Sequence, residues 1–216
     1  MNLVVVAHPD DEILGFGATG AKLVQEGGIV QSIVLSGLAE ARTRRPEDDE
    51  LINDIKHANE KLGFNFPELG SFPNIQLNTI PHLELVRFIE KAIEKFQPDL
   101  VFTHHPSDLN DDHRHVSHAC AVAVRLFQRR VSVKPIKSFF YMEIPSATDW
   151  GVPDAQLPFL PNVYSDSTDF INLKVTALSC YRDVMRPAPH PRSEDVIKGL
   201  AAYRGGQAGY LCAEAF

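Results

Sequence analysis

Cysteine is scarce in this chain, and the three that occur are widely separated, at Cys120, Cys180 and Cys212. An odd number at these separations matches neither the ligand spacing of a zinc finger nor a disulfide framework. We therefore expect free thiols and a cytoplasmic protein.

Long apolar runs and an excess of positive charge are also lacking. The longest apolar runs, such as Leu3–Ala7, are far shorter than the roughly 20 residues of a membrane-spanning helix. Met1 leads directly into such a run, so the sequence predicts no signal peptide. The formal charge of -7 disfavours nucleic acid as a partner. A dinucleotide fingerprint, Gly-x-Gly-x-x-Gly after the first strand, is missing too.

What is present is an ordinary globular composition in 216 residues, with 44% hydrophobic residues. This length predicts one domain, 1–216. Leu3–Ala7 is a continuous apolar run typical of a strand buried on both faces, and Asp99–Thr103 is predicted to be a further strand. Glu47–Leu62 and Leu83–Phe96 carry helical apolar stripes. The alternation of predicted strands and helices along the chain predicts an α/β sandwich around a mostly parallel sheet.

The second half of the chain is less regular. We interpret 104–118 as a polar, histidine-rich stretch that leads into a helix at Ala119–Phe127. Helices are also predicted at Ile171–Met185 and Ser193–Tyr203. The proline-rich segment 144–163 is predicted to be a long functional loop.

Three carboxylates and an imidazole follow the first predicted strand, at His8, Asp10, Asp11 and Glu12. Crowded carboxylates repel one another where water is scarce, and a divalent cation removes that cost. An imidazole and a carboxylate three residues apart on a turn can both face one metal. The alternative is a polar loop in which an aspartate caps the next helix.

The segment 104–115 after the strand Asp99–Thr103 again concentrates histidine and aspartate. One ligand from this segment would complete a set of two histidines and one aspartate, with positions open for water and substrate. The segment and the first cluster meet only if their strands are neighbours, because ligands at one sheet edge come from adjacent strand ends. The alternative is a histidine-rich surface loop.

Both clusters belong to longer blocks that occur in order along the chain. The first block is Ala7-His8-Pro9-Asp10-Asp11-Glu12, and the second is Pro106-Ser107-Asp108-Leu109-Asn110 followed by Asp112-His113-Arg114. Looser blocks lie at 143–148, 189–193 and 213–216. The ordered set resembles the PIG-L family, also called LmbE-like N-acetylglucosaminyl deacetylases.

This resemblance implies a Rossmann-like, three-layer α/β sandwich and a metal-dependent hydrolase that removes an N-acetyl group from an amino sugar or sugar conjugate. It implies that His8, Asp11 and His113 bind the metal and that Asp10 is the general base. The metal is usually Zn²⁺, and Fe²⁺, Co²⁺ or Mn²⁺ suit the same ligands. His118 is the rival third ligand, but Asp112, Arg114 and Val116 match the family around His113. Relatives often form homo-oligomers, which is our expectation here.

The chain departs from the family at Asn110. Many members have a His-Pro-Asp-His sequence whose first histidine stabilises the oxyanion, and asparagine stands there in this chain. Asn110, His190 and Arg192 are the candidate donors, with His190 ranked first as a possible acid. The alternative interpretation of His190 is a histidine in a turn between two prolines.

Substrate contacts are expected from Arg42, Asp108, Arg192 and Trp150. Arg42 belongs to a basic segment that could contact the phosphate of a nucleotide- or lipid-linked sugar; a solvated loop is the alternative. Trp150 is interpreted equally as a sugar-stacking residue and as a hydrophobic anchor. Two other functions stay open: a metal-dependent amidase on another conjugate, and a non-catalytic metal- or sugar-binding module.

Overall fold

A computed structural model describes residues 1–38, 46–151 and 158–216. Seven strands and six α-helices are assigned within these ranges. The strands are β1 (Asn2–Val6), β2 (Val30–Val34), β3 (Glu68–Leu69), β4 (Leu100–His104), β5 (Ser138–Met142), β6 (Tyr164–Asp166) and β7 (Ala213–Ala215). The α-helices are α1 (Asp11–Gln25), α2 (Asp48–Leu62), α3 (His82–Phe96), α4 (Asp111–Ala123), α5 (Ile171–Leu178) and α6 (Glu194–Ala208).

Five strands form one parallel sheet in the order β3-β2-β1-β4-β5. The order reverses direction at β1, which is the Rossmann-like arrangement whose ligand crevice lies at the carboxyl ends of the central strands. The predicted α/β sandwich with a parallel sheet is confirmed. Strands β1 and β4 are hydrogen-bonded neighbours, so the condition for bringing the two polar clusters together is met.

Alternating side chains of β1 separate two hydrophobic layers. Val4 and Val6 belong to a core shared with α1, α2 and α5, whereas Leu3 and Val5 belong to a core shared with α3 and α4. All four are fully buried. Period-2 alternation in a strand covered on both faces therefore accounts for the continuous apolar run.

Helix α1 packs closely against the end of β5 because Gly15 has no side chain. A Cβ atom at Gly15 would lie 2.6 Å from Ile144 Cδ1 and 3.0 Å from Met142 Cβ. A larger residue here would push α1, which begins at Asp11, away from the sheet. The start of α1 is thus held at the carboxyl end of the sheet by close packing.

The short antiparallel sheet β6-β7 fixes the other side of α1. Glu214 in β7 accepts the amide N–H groups of Ala18 and Thr19 at 3.1 and 2.7 Å. Lys174 donates to Glu214 and to the Leu14 carbonyl, each at 2.7 Å. Both members of this buried ion pair have further hydrogen-bond partners, which offset the cost of burying charge.

Two helix predictions need correction. Helix α4 begins at Asp111, where Asn110 accepts the Asp112 N–H at 3.0 Å as an N-cap, rather than at Ala119. Helix α5 ends at Leu178 rather than at Met185. The described residues of the proline-rich segment 144–163 form no α-helix or strand, as predicted. No helix in the described ranges combines the length and apolar character needed to cross a bilayer.

Candidate metal centre and active-site cleft

The neighbouring carboxyl ends of β1 and β4 bring the two polar clusters together. His104, the last residue of β4, accepts the Ala7 N–H on Nε2 at 2.8 Å, which ties the two strand ends to each other. The His104 ring also stacks on His113 with ring centroids 3.8 Å apart. The turn at His8 and the first turn of α4 therefore face one another.

Two imidazoles converge on one carboxylate at this junction. His8 Nδ1 lies 3.3 Å and His113 Nε2 lies 3.2 Å from the Oδ2 atom of Asp11. The three residues are buried and offer ligand atoms within 4.8 Å of one another. Two nitrogens and one carboxylate oxygen at this spacing form a set that can hold one divalent cation.

Each imidazole is anchored on its far side by a second buried carboxylate. His8 Nε2 lies 3.0 Å from Asp112 Oδ2, and His113 Nδ1 lies 2.9 Å from Asp108 Oδ2. These contacts orient both rings toward Asp11, as carboxylates behind histidine ligands do in metal sites. Asp108 is completely buried. We therefore reassign Asp108 from the substrate contact expected from the sequence to an orienting partner of His113.

The carboxylates of this cluster determine the protonation of the histidines. Burial by itself would lower the pKa of His113, but Asp11 and Asp108 outweigh burial and raise it to about 9. Burial opposes a rise at His8 as well, yet hydrogen bonds to Asp11 and Asp112 raise its pKa. Although burial would raise the pKa of Asp11, His113 and His8 hold it well below its usual value. The cluster thus favours positive charge at its centre.

Asp10 occupies the N-cap position of α1, but its side chain makes no capping hydrogen bond. Its backbone is left-handed, with φ 98° and ψ -30°, a conformation that costs an L-residue about 1–2 kcal/mol. Its Oδ2 atom lies 3.4 Å from Arg192 Nη1, and Arg192 Nε donates to Ser146 Oγ at 2.7 Å. Helix capping therefore does not explain this carboxylate.

Glu12 is fully buried and lies behind the turn. It accepts hydrogen bonds from Asp10 N and Asn59 Nδ2, both at 3.0 Å, and from the Tyr181 hydroxyl at 2.5 Å. Burial raises the pKa of Glu12 to about 7, with the Tyr181 and Asn59 bonds opposing the rise. The third carboxylate of the first cluster therefore makes its contacts inside the protein, whereas Asp10 and Asp11 line the cleft.

A cleft of about 620 Å³ opens over the cluster, within the range of roughly 300–1,000 Å³ that is usual for small-molecule sites. The structure brings most of the predicted site residues into its lining. These are His8, Asp10, Asp11, Asn110, His113 and Arg192.

The other predicted residues within the described ranges do not line the cleft. His190 and Trp150 are outside the cleft lining and contact each other with ring centroids 5.4 Å apart. His190 Nδ1 accepts the Arg192 N–H at 3.0 Å, and burial together with the charges of Arg192 and Arg186 lowers its pKa. His118 is exposed on α4, whereas His113 faces the cluster. Arg42 lies outside the described residues.

Several cleft residues had no role in the sequence analysis. Ser146, which orients Arg192, and the side chains of Asn74, Asp183 and Arg186 come from segments without regular structure. Asp112 was visible only as a motif match beside His113. Its adjacency to a candidate ligand was the available signal, but sequence does not show that it contacts His8.

Comparisons with known proteins agree with this architecture. The family model described as GlcNAc-PI de-N-acetylase (PIG-L) matches residues 3–124. The chain is 28% identical over 192 residues to the uncharacterized deacetylase YaiS of Escherichia coli K12, covering 83% of this chain and 89% of YaiS.

Two solved structures share the fold over nearly the whole chain. The conserved protein TT1542 from Thermus thermophilus has a TM-score of 0.80 and 25% identity, covering 99% of this chain and 92% of TT1542. The N,N'-diacetylchitobiose deacetylase from Pyrococcus horikoshii has a TM-score of 0.77 and 21% identity, covering 100% of this chain and 82% of that deacetylase.

The chain is thus a Rossmann-like α/β protein whose histidine and aspartate cluster lies where the strand order of the sheet reverses. The chain belongs to the PIG-L family of deacetylases.

Proposed function

We propose that this protein is a metal-dependent hydrolase that removes the acetyl group from an N-acetylated amino sugar or sugar conjugate. The observation that carries the proposal is the convergence of His8 and His113 on Asp11, with the Asp10 carboxylate beside them in one cleft. The diacetylchitobiose deacetylase with the same fold supports an N-acetylhexosamine substrate. Since cleft residues range from His8 to Arg192, we propose that the whole chain, 1–216, forms one catalytic domain.

The donor set fits a divalent cation. His8, Asp11 and His113 would hold it, because they are buried, offer two nitrogens and one oxygen, and have no thiolate among them. This set suits Zn²⁺, with Fe²⁺, Co²⁺ and Mn²⁺ as substitutes. When bound, such an ion would polarise the acetamide carbonyl and increase the acidity of water.

Asp10 is the group that moves the proton. Its carboxylate takes a proton as a water oxygen attacks the carbonyl carbon, and it returns the proton to nitrogen as the carbon–nitrogen bond breaks. The products are acetate and the free amine. His190 lies outside the cleft lining, so we assign the second transfer to Asp10 rather than to His190.

Arg192 and Asn110 supply the polar surroundings of this reaction. The Arg192 guanidinium, which Ser146 orients, lies 3.4 Å from the Asp10 carboxylate and offers N–H donors to the developing oxyanion. Asn110 lines the cleft, and because its Oδ1 atom caps α4, its Nδ2 group is the side-chain donor that it has for the oxyanion. Together they take the place of the histidine that many family members have at position 110.

The test is acetate release from a panel of N-acetylhexosamine compounds that includes diacetylchitobiose and nucleotide- and lipid-linked sugars. We expect acetate and free amine in equal amounts from at least one compound. Chelation should abolish release, and adding back one of the four ions should restore it. Cleavage of other amides only would favour the amidase, and binding without any cleavage would favour a non-catalytic module.

The orienting role of Asp108 gives a separate prediction. Asp108→Ala removes the carboxylate behind His113, so metal affinity should fall about 10- to 100-fold. Competition with a chromophoric chelator measures this affinity. Asp111→Ala is the matched control, since Asp111 is a half-exposed aspartate at the start of α4 that pairs with Arg114. Equal metal affinities for the Asp108→Ala variant and the wild type would show that Asp108 does not support His113 as a metal ligand.

A further inference from the structure

Glu12 is a buried carboxylate that the proposed reaction does not use. It is fully buried in the first turn of α1 and is not part of the cleft lining. Its two oxygens have different partners. Oε1 accepts from Asn59 of α2 and from the hydroxyl of Tyr181, which follows α5, while Oε2 accepts the Asp10 N–H.

Asp10, whose amide donates to Glu12, has an unusual backbone conformation. An N-cap residue ordinarily adopts an extended conformation and turns its side chain onto the helix amides. Asp10 instead has φ 98°, and its side chain makes no capping bond. Its amide is held from inside by Glu12 at 3.0 Å, while its carboxylate faces the cleft and approaches Arg192 at 3.4 Å.

We propose that Glu12 is a positioning residue for Asp10. By accepting the Asp10 N–H, it holds that residue in the left-handed conformation that directs the carboxylate into the cleft. Asn59 and Tyr181 keep Glu12 in place, so the orientation of Asp10 depends on α2 and on the segment after α5. The inference rests on the proposed function only for the role of Asp10 as the base.

Two substitutions at one position separate this role from a need for charge. Glu12→Ala removes the acceptor, and we expect kcat to fall by up to about 100-fold, the loss that a misplaced group of about 1 Å produces. KM and metal content should stay at wild-type values, because Glu12 lies outside the cleft lining and its side chain bonds to Asp10, Asn59 and Tyr181 rather than to the proposed ligands. Glu12→Gln keeps an oxygen for the Asp10 N–H and should retain most of kcat.

Three kinetic results would overturn the proposal. One is a Glu12→Ala variant with wild-type kcat. Another is a Glu12→Ala variant whose lower activity comes from a higher KM or from a lower metal content. The third is a Glu12→Gln variant as impaired as Glu12→Ala, which would mean that charge matters rather than the acceptor. Glu60→Ala is the control, since Glu60 is an exposed glutamate on α2.

Crystal structures of the wild type and Glu12→Ala give a readout independent of activity. We expect Asp10 to leave the left-handed region in the variant and its carboxylate to move away from Arg192. An unchanged Asp10 would overturn the inference even if the wild type released no acetate, so failure of the proposed function is recognised separately. If Glu12→Ala does not fold, Tyr181→Phe replaces it. This variant removes one anchor of Glu12 and should lower kcat at constant KM, and unchanged kcat would refute the role.

Discussion

Replacing Asp10 by asparagine should lower kcat by about 100- to 10,000-fold, the usual contribution of a general base, while the purified protein keeps its metal. Asparagine is the appropriate substitute because it tolerates the left-handed backbone of Asp10 and preserves the shape of the side chain. The variant loses the ability to accept a proton, together with the negative charge beside Arg192. Initial rates of acetate release and elemental analysis of the same preparation measure the two quantities.

Asp11→Asn provides the contrast to this variant. Asp11 is the carboxylate on which both imidazoles converge, so its replacement should remove the metal together with the activity. The reverse pattern, in which Asp10→Asn loses metal and Asp11→Asn keeps it, would exchange the roles of these neighbours. A fully active Asp10→Asn variant would show that another group moves the proton.

Replacing His113 by alanine should have the other large effect. The substitution removes one of three ligands and leaves Asp11 and Asp108 without their shared partner. Metal affinity should fall by more than about 100-fold, since loss of an outer-shell partner alone costs up to that much. Turnover at limiting metal should fall in parallel, and excess metal should restore part of it.

His118→Ala is the matched control for His113→Ala. Both histidines lie on α4, but His118 is exposed and His113 is buried against the cluster. The control should bind metal and turn over substrate like the wild type. If His118→Ala lost the metal and His113→Ala kept it, the third ligand would have to be reassigned.

The central strands could be predicted because their sequence is determined by burial alone. The segment 3–6 is enclosed on both faces and shows a continuous apolar run. The start of helix α4 was mispredicted because its first turn buries polar side chains instead of apolar ones. Asp112 and His113 are buried as members of the histidine and aspartate cluster, so the buried face of α4 is polar where the helix begins. Strands β6 and β7 have three residues each, too few for a periodic pattern.

The site was predictable to the level of residue types at the strand ends. The His8 turn and the 104–115 segment do meet, because β1 and β4 are adjacent. Sequence cannot show which ring nitrogen faces which carboxylate, so the contacts of Asp108 and Asp112 with the two imidazoles were missed. The contact between Asp10 and Arg192 joins positions 182 residues apart, and only the folded chain reveals it.

Anomalous X-ray diffraction at the absorption edge of the metal found in the purified protein would locate that metal. We expect one strong peak within bonding distance of His8, Asp11 and His113. If the anomalous peak of the metal-loaded protein lay away from these three residues, and no metal density lay between them, a metal site formed by His8, Asp11 and His113 would be contradicted.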